Sequence, residues 1–151
     1  MSMTLALLFA TIAAAPDCRL ADARVERYVA AVATARAGHE YCEFRRYDRL
    51  GDLDGDGADD LVMTFTIEGV EGSNNGTEAY LVAFLSSAKA IDAAPRLLIG
   101  ERGGRMPDGV SVQGREIVVS TVEYAESDPM CCPSRRGEAR FALRAGKLVE
   151  K

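Results

Sequence analysis

The spacing of apolar residues changes twice along this chain, and each change marks a new kind of element. Residues 5–15 are almost uninterruptedly apolar and end at Pro16 and Asp17. Between residues 19 and 37, Val25, Tyr28, Val29 and Val32 recur at i, i+3, i+4 and i+7, while Arg24, Arg27 and Arg36 take the other side. That period predicts an amphipathic helix, with Gly38 as its left-handed cap. The apolar face is Ala-rich, too weak for a membrane-surface helix. From Gly38 onward the period falls to two. Leu61, Met63, Phe65 and Ile67 alternate with Val62, Thr64, Thr66 and Glu68, which predicts a strand buried on one face. Residues 79–85 are apolar on both faces and predict a central strand. Residues 110–112 and 116–124 flank Gln113-Gly114-Arg115, a hairpin signal, and residues 138–144 turn at Ala145-Gly146 into Leu148 and Val149. Residues 69–76, 103–108 and 125–137 read as looser segments, the second as simple turn chemistry around Met106-Pro107-Asp108-Gly109. The expected fold class is therefore α+β: mostly antiparallel β-sheet with one N-terminal amphipathic helix packed on it.

The apolar run at 5–15 is too short to span a bilayer, which takes about 20 residues. Its length and its small closing residues match the core of a secretory signal, although no Lys or Arg precedes it. Pro16 hinders cleavage after Ala15, so a cut after Ala13 competes with it. The reading is a signal peptide over residues 1–15 and a single domain over 16–151, periplasmic or secreted, with no stable membrane span once the signal is removed. Cys18 is a poor lipidation site, because Asp17 stands where a lipobox needs a small residue. The net charge of −5 lies entirely outside the signal, and the chain has no Trp and no basic stripe, so nucleic acid is not an expected partner.

Four cysteines, Cys18, Cys42, Cys131 and Cys132, would follow the signal into an oxidising compartment, where an even number implies disulfides. Three connectivities are open. A continuous helix over 19–37 would separate Cys18 from Cys42 by about 28 Å. The return from residue 37 to 42 covers at most about 17 Å, while bonded cysteine Cα atoms lie within about 7 Å. A Cys18–Cys42 bond thus needs the helix to end near residue 34. The other options are a vicinal Cys131–Cys132 ring or bonds from that pair to the two N-terminal cysteines.

The chemistry concentrates in Asp52-Leu53-Asp54-Gly55-Asp56-Gly57-Ala58-Asp59-Asp60. Carboxylates at positions 1, 3 and 5 with Gly at position 6 reproduce the first half of an EF-hand loop. A loop coiling round a cation turns every second side chain inward, and Gly57 takes the sharp bend. Asp52, Asp54 and Asp56 with the Ala58 carbonyl fall short of the six to eight oxygens that Ca²⁺ takes, and Asp60 completes the expected set. Asp59 faces away in this register. Position 12 is Met63 rather than Glu, and a strand follows instead of a helix, so this is not an EF-hand. Calcium is the expected cofactor, since Mg²⁺ demands rigid octahedral geometry.

The D-x-D-x-D-G-x-x-D pattern running straight into Leu61-Val62 resembles the calcium loops of FG-GAP and VCBS-like repeats. The likeness covers the loop alone, because a propeller needs several blades and one motif is present. A second resemblance spans roughly residues 41–150. The GDLDGDG loop, followed some seventy residues later by Asp128-Pro129-Met130-Cys131-Cys132-Pro133, is similar to a family of small exported bacterial proteins. It implies a small secreted or lipid-anchored domain, from which this chain departs in lacking a lipobox.

Nothing in the sequence selects catalytic residues. His39 is the single histidine and follows the helix cap, there is no G-x-S-x-G elbow, and Cys131-Cys132 is not a C-x-x-C pair. The expected function is a noncatalytic envelope domain stabilised by one calcium ion, its envelope partner not specified by sequence. The alternative is an envelope hydrolase whose acidic residues, such as Glu43, Asp48 and Glu123, assemble only in the fold.

Overall fold

The alternation after Gly38 builds two antiparallel sheets, seen in a computed structural model that describes residues 22–42, 47–88 and 94–151. The apolar run at 5–15, Cys18 and Glu43 lie outside the described residues. The first sheet contains β1 (His39–Glu40), β2 (Tyr47–Gly51), β3 (Asp60–Glu68), β4 (Thr77–Phe84) and β5 (Arg96–Glu101). β3 has β4 on one side and both β2 and β1, end to end, on the other, while β5 lies beyond β4. The second sheet runs β6 (Met106–Gln113), β7 (Glu116–Glu123), β8 (Arg135–Arg144) and β9 (Lys147–Glu150) in that order. With one α-helix among the described residues, the class is α+β and mostly antiparallel β.

The helix α1 (Ala23–Ala35) begins where Asp22, in extended conformation, accepts the Arg24 N–H at 2.8 Å. A carboxylate there satisfies an orphan donor and opposes the positive end of the helix dipole. Val25, Tyr28, Val29, Val32 and Ala33 form the buried stripe, set against Met63, Phe65 and Ile67 of β3 and Tyr80, Val82 and Phe84 of β4. Tyr28 meets Phe65 and Phe84 edge-on, with centroids 6.5 and 5.1 Å apart. At the helix end the guanidinium of Arg36 forks onto the Glu78 carboxylate of β4.

The other face of the first sheet packs on the second sheet. Val62 of β3 and Leu81 and Ala83 of β4 meet Ile117, Val119 and Phe141 there, and Leu53 of the acidic loop joins them. β3 is therefore buried on both faces, not on one as its alternation predicts: Thr64 and Thr66 are as enclosed as Phe65. Threonine reads as polar in a pattern, but its branched methyl packs well inside a sandwich.

Three local details also differ from the sequence reading. The helix stops at Ala35 rather than residue 37, and Ala37, not Gly38, takes the left-handed position, with φ 52°. Its N–H reaches the Thr34 carbonyl and that of Gly38 reaches Ala33, a Schellman closure one residue earlier than expected. Gly38 is needed for another reason: a Cβ there would sit 2.5 Å from the Glu68 carbonyl oxygen. Finally, Met106-Pro107-Asp108-Gly109 is not a turn but the start of β6, which bulges between Pro107 and Gly109. Proline is tolerated because β6 is an edge strand.

Candidate metal centre

The acidic loop closes a hairpin. Gly51 of β2 pairs with Asp60 of β3, so residues 52–59 form the connection. Leu53 anchors the loop in the inter-sheet core, while Gly55 and Gly57 supply φ near +85°, a conformation that is unstrained for glycine. The backbone coils inward onto its own carboxylates. Asp52 accepts from the N–H groups of Gly55 at 2.6 Å and Gly57 at 3.1 Å, and Asp56 accepts from Ala58 at 2.8 Å. Asp54 accepts from the Asp56 N–H at 3.1 Å.

Asp60 is the fixed point. Its side chain has 0% exposure, and its two oxygens accept separately from Leu53 N at 2.8 Å and Ser86 N at 2.9 Å. Those bonds leave about half of the carboxylate's lone-pair sites unused. One oxygen from each of Asp52, Asp54 and Asp60 lies within 4.8 Å of the others. Two oxygens on the same Ca²⁺ are separated by at most about 5 Å, given bond lengths of 2.3–2.6 Å, so this spacing suits a shared cation.

Three of the four expected carboxylates thus converge. Asp56 instead directs one oxygen to Ala58 N–H and the other toward Ser86 Oγ, 3.4 Å away. Ala58 is exposed, and Asp59 lies outside the converging group and is exposed. Sequence reasoning missed Ser86 and Ser87 in the turn after β4, where Ser87 Oγ donates to Asp54 at 2.9 Å. It also missed Arg115 of the β6–β7 turn, whose guanidinium donates to the Asp54 carbonyl. These residues lie 26 to 61 positions from their partners, and no local spacing announces them.

The second sequence motif is equally organised. Cys131 and Cys132 are bonded to each other, with Cα atoms 3.7 Å apart, which selects the vicinal ring. Cys42 is also in a disulfide. Asp128 ties the ends of this β7–β8 loop together, accepting from Ala125 N, Ser134 N and Ser134 Oγ, each at 2.7 Å. The Ala125 N–H and then the Ser134 hydroxyl hold its carboxyl below the ordinary aspartate range. Tyr124 Oη donates to the Met130 carbonyl at 2.6 Å.

Of the other candidates, His39 is exposed at the edge of the first sheet, and Glu123 is ion-paired with Arg135. The side chain of Asp48 lies outside the described residues. No helix among the described residues is long and apolar enough to cross a membrane. The chain matches no protein-family model, no curated protein and no solved structure.

Proposed function

We propose that this chain is an exported, noncatalytic envelope domain that binds one calcium ion in the loop between β2 and β3. The observation that carries the reading is the convergence of Asp52, Asp54 and Asp60 within 4.8 Å, one of them wholly buried. Drawing three carboxylates together raises their mutual repulsion, and a divalent cation relieves it. An all-oxygen set on a loop shaped by its own backbone favours Ca²⁺, which accepts irregular shells, over Mg²⁺, which holds to octahedral geometry. Asp56 exchanges its Ser86 contact for the ion, and the Ala58 carbonyl and water complete the shell, as in the FG-GAP-type loops that this segment resembles.

The ion's role is structural. It joins the hairpin of the first sheet to the turn after β4 through Ser86 and Ser87, and sits beside the second sheet through Arg115. Export rests on the apolar run at residues 5–15 and on disulfide bonding at Cys42, Cys131 and Cys132, since such bonds persist in oxidising compartments.

Chelation tests this reading. A ligand that binds only the folded state stabilises it by about 2.7 kcal/mol when present at roughly one hundred times its Kd. For a chain of this length that is a melting shift of about 5–10 °C. Removing calcium should lower Tm by that amount and restoring it should recover the loss, whereas magnesium at equal concentration should recover little. An unchanged Tm would reject the calcium reading.

A further inference from the structure

At the other end of the sandwich from the acidic loop, a cleft of about 210 Å³ opens between the sheets. Thr66 stands six residues along β3 from Asp60, which is about 20 Å of strand. Among the residues that wall the cleft are Thr66 and Glu68 of β3, Arg102 of the β5–β6 turn, and Tyr124, Met130 and Cys131 of the vicinal-disulfide loop. From this arrangement we infer that the cleft binds one neutral sugar ring, free or at the end of a glycan.

Size sets the first limit. Pockets for larger organic ligands occupy about 300–1,000 Å³, so this one suits a single ring. The lining supplies the chemistry. On one side Met130 leaves 80% of its surface exposed, more than Leu50 or Leu98, the other exposed large apolar residues among those described, beside Tyr124 and the Cys131–Cys132 ring. That wall is apolar and already rigid: Asp128 clamps the two ends of the loop and Tyr124 holds the Met130 carbonyl. Little ordering remains to oppose binding.

The facing wall is polar. Thr66 is 1% exposed and its hydroxyl is enclosed, so the polar groups open to a ligand are those of Glu68 and Arg102. Glu68 offers acceptors. Arg102 offers donors, its guanidinium held in place by the Asn75 side-chain oxygen at 2.7 Å. One carboxylate and one guanidinium leave the lining without net charge, so neither an anion nor a cation is favoured. A hydrocarbon would pair with neither Glu68 nor Arg102. A pyranose has one face of C–H groups and a rim of hydroxyls, and so meets both walls.

The site does not depend on calcium, so the test is run on the full chain with and without chelator. Saturation-transfer NMR is recorded with glucose, galactose, mannose and N-acetylglucosamine in one arm and with maltotriose and chitotriose in the other, each at about 10 mM to cover millimolar affinities. Transfer to ring C–H protons of a monosaccharide supports a free-sugar site; transfer only to the oligosaccharides supports a glycan end. Glu68→Gln, which keeps shape and removes the charge-assisted acceptor, should weaken the bound sugar about fivefold. Met130→Ser should weaken it further, and because Met130 is mostly exposed the fold is kept. Leu50→Ser, on a different surface, should change nothing. No transfer to any sugar, or transfer that Glu68→Gln and Met130→Ser leave unaltered, would overturn the proposal.

Discussion

Replacing Asp60 by asparagine separates what the buried carboxylate does for the fold from what it does for a metal. Both oxygens of Asp60 accept backbone N–H groups, Leu53 at 2.8 Å and Ser86 at 2.9 Å, in a side chain with no exposure. An asparagine has one acceptor oxygen and one NH₂ group. Whichever way the amide is turned, one backbone N–H faces another donor. One charge-assisted bond is lost, the other becomes neutral, and a buried donor is left unpaired, for a total cost of about 2–4 kcal/mol. With roughly 2–4 °C per kcal/mol in a domain of this length, Asp60→Asn should melt about 5–15 °C below the parent chain. The measurement is thermal unfolding followed by circular dichroism, since the chain has no Trp to report by fluorescence. It is made in excess chelator, so that the metal contributes nothing. A variant that melts within a degree of the parent under those conditions would refute the assignment of Asp60 as a structural acceptor joining the loop to the turn after β4.

Other expectations follow from the same geometry. Gly38→Ala places a Cβ 2.5 Å from the Glu68 carbonyl and 2.8 Å from Ile67 Cγ2; it should cost about 1–3 kcal/mol, read as a lower urea midpoint with unchanged slope. Burial, and then its bond to Glu78, push the Tyr80 phenol from 10.0 up to about 12. The native state therefore holds that proton more tightly than the unfolded chain, so the contribution is complete below pH 10 and lost as pH rises toward about 12. Ultraviolet titration should show a late tyrosine ionisation that Tyr80→Phe removes; a titration curve whose late part is unchanged in Tyr80→Phe would contradict it. Secreted material should begin near Ala14 or Pro16 by mass spectrometry and contain no free thiol, whereas an intact Met1 would contradict export with cleavage.

Period-two patterning carried most of the architecture, because strands with buried faces leave that mark whatever their partners. It misjudged β3 because Thr64 and Thr66 count as polar in a pattern while packing as branched apolar groups between sheets. The helix stripe was legible from Val25 to Val32, but its end was not. Gly38 looked like a cap by composition, whereas its constraint is the close approach of β3, a contact between residues 30 positions apart. Pro107 looked like a turn because its tolerance depends on β6 being an edge, a property of the whole sheet. Within the acidic loop, local spacing picked out Asp52, Asp54 and Asp60, which converge, but equally Asp56, which turns to the Ala58 N–H and Ser86 instead. Ser86, Ser87 and Arg115 reach the loop only through tertiary packing. The vicinal disulfide was one option among three, and spacing alone could not choose it, because adjacency says nothing about where Cys42 lies in the fold.

The central claim is that the loop between β2 and β3 is a calcium site, and calorimetric titration of Ca²⁺ into the metal-stripped chain tests it most directly. One ion should bind per chain. Asp54→Asn, which removes one of the converging anionic ligands, should weaken binding by about tenfold or more, since each 1.4 kcal/mol is tenfold. Asp59→Asn should leave the isotherm nearly unchanged. The absence of saturable heat with calcium, or equal loss from Asp54→Asn and Asp59→Asn, would contradict the account.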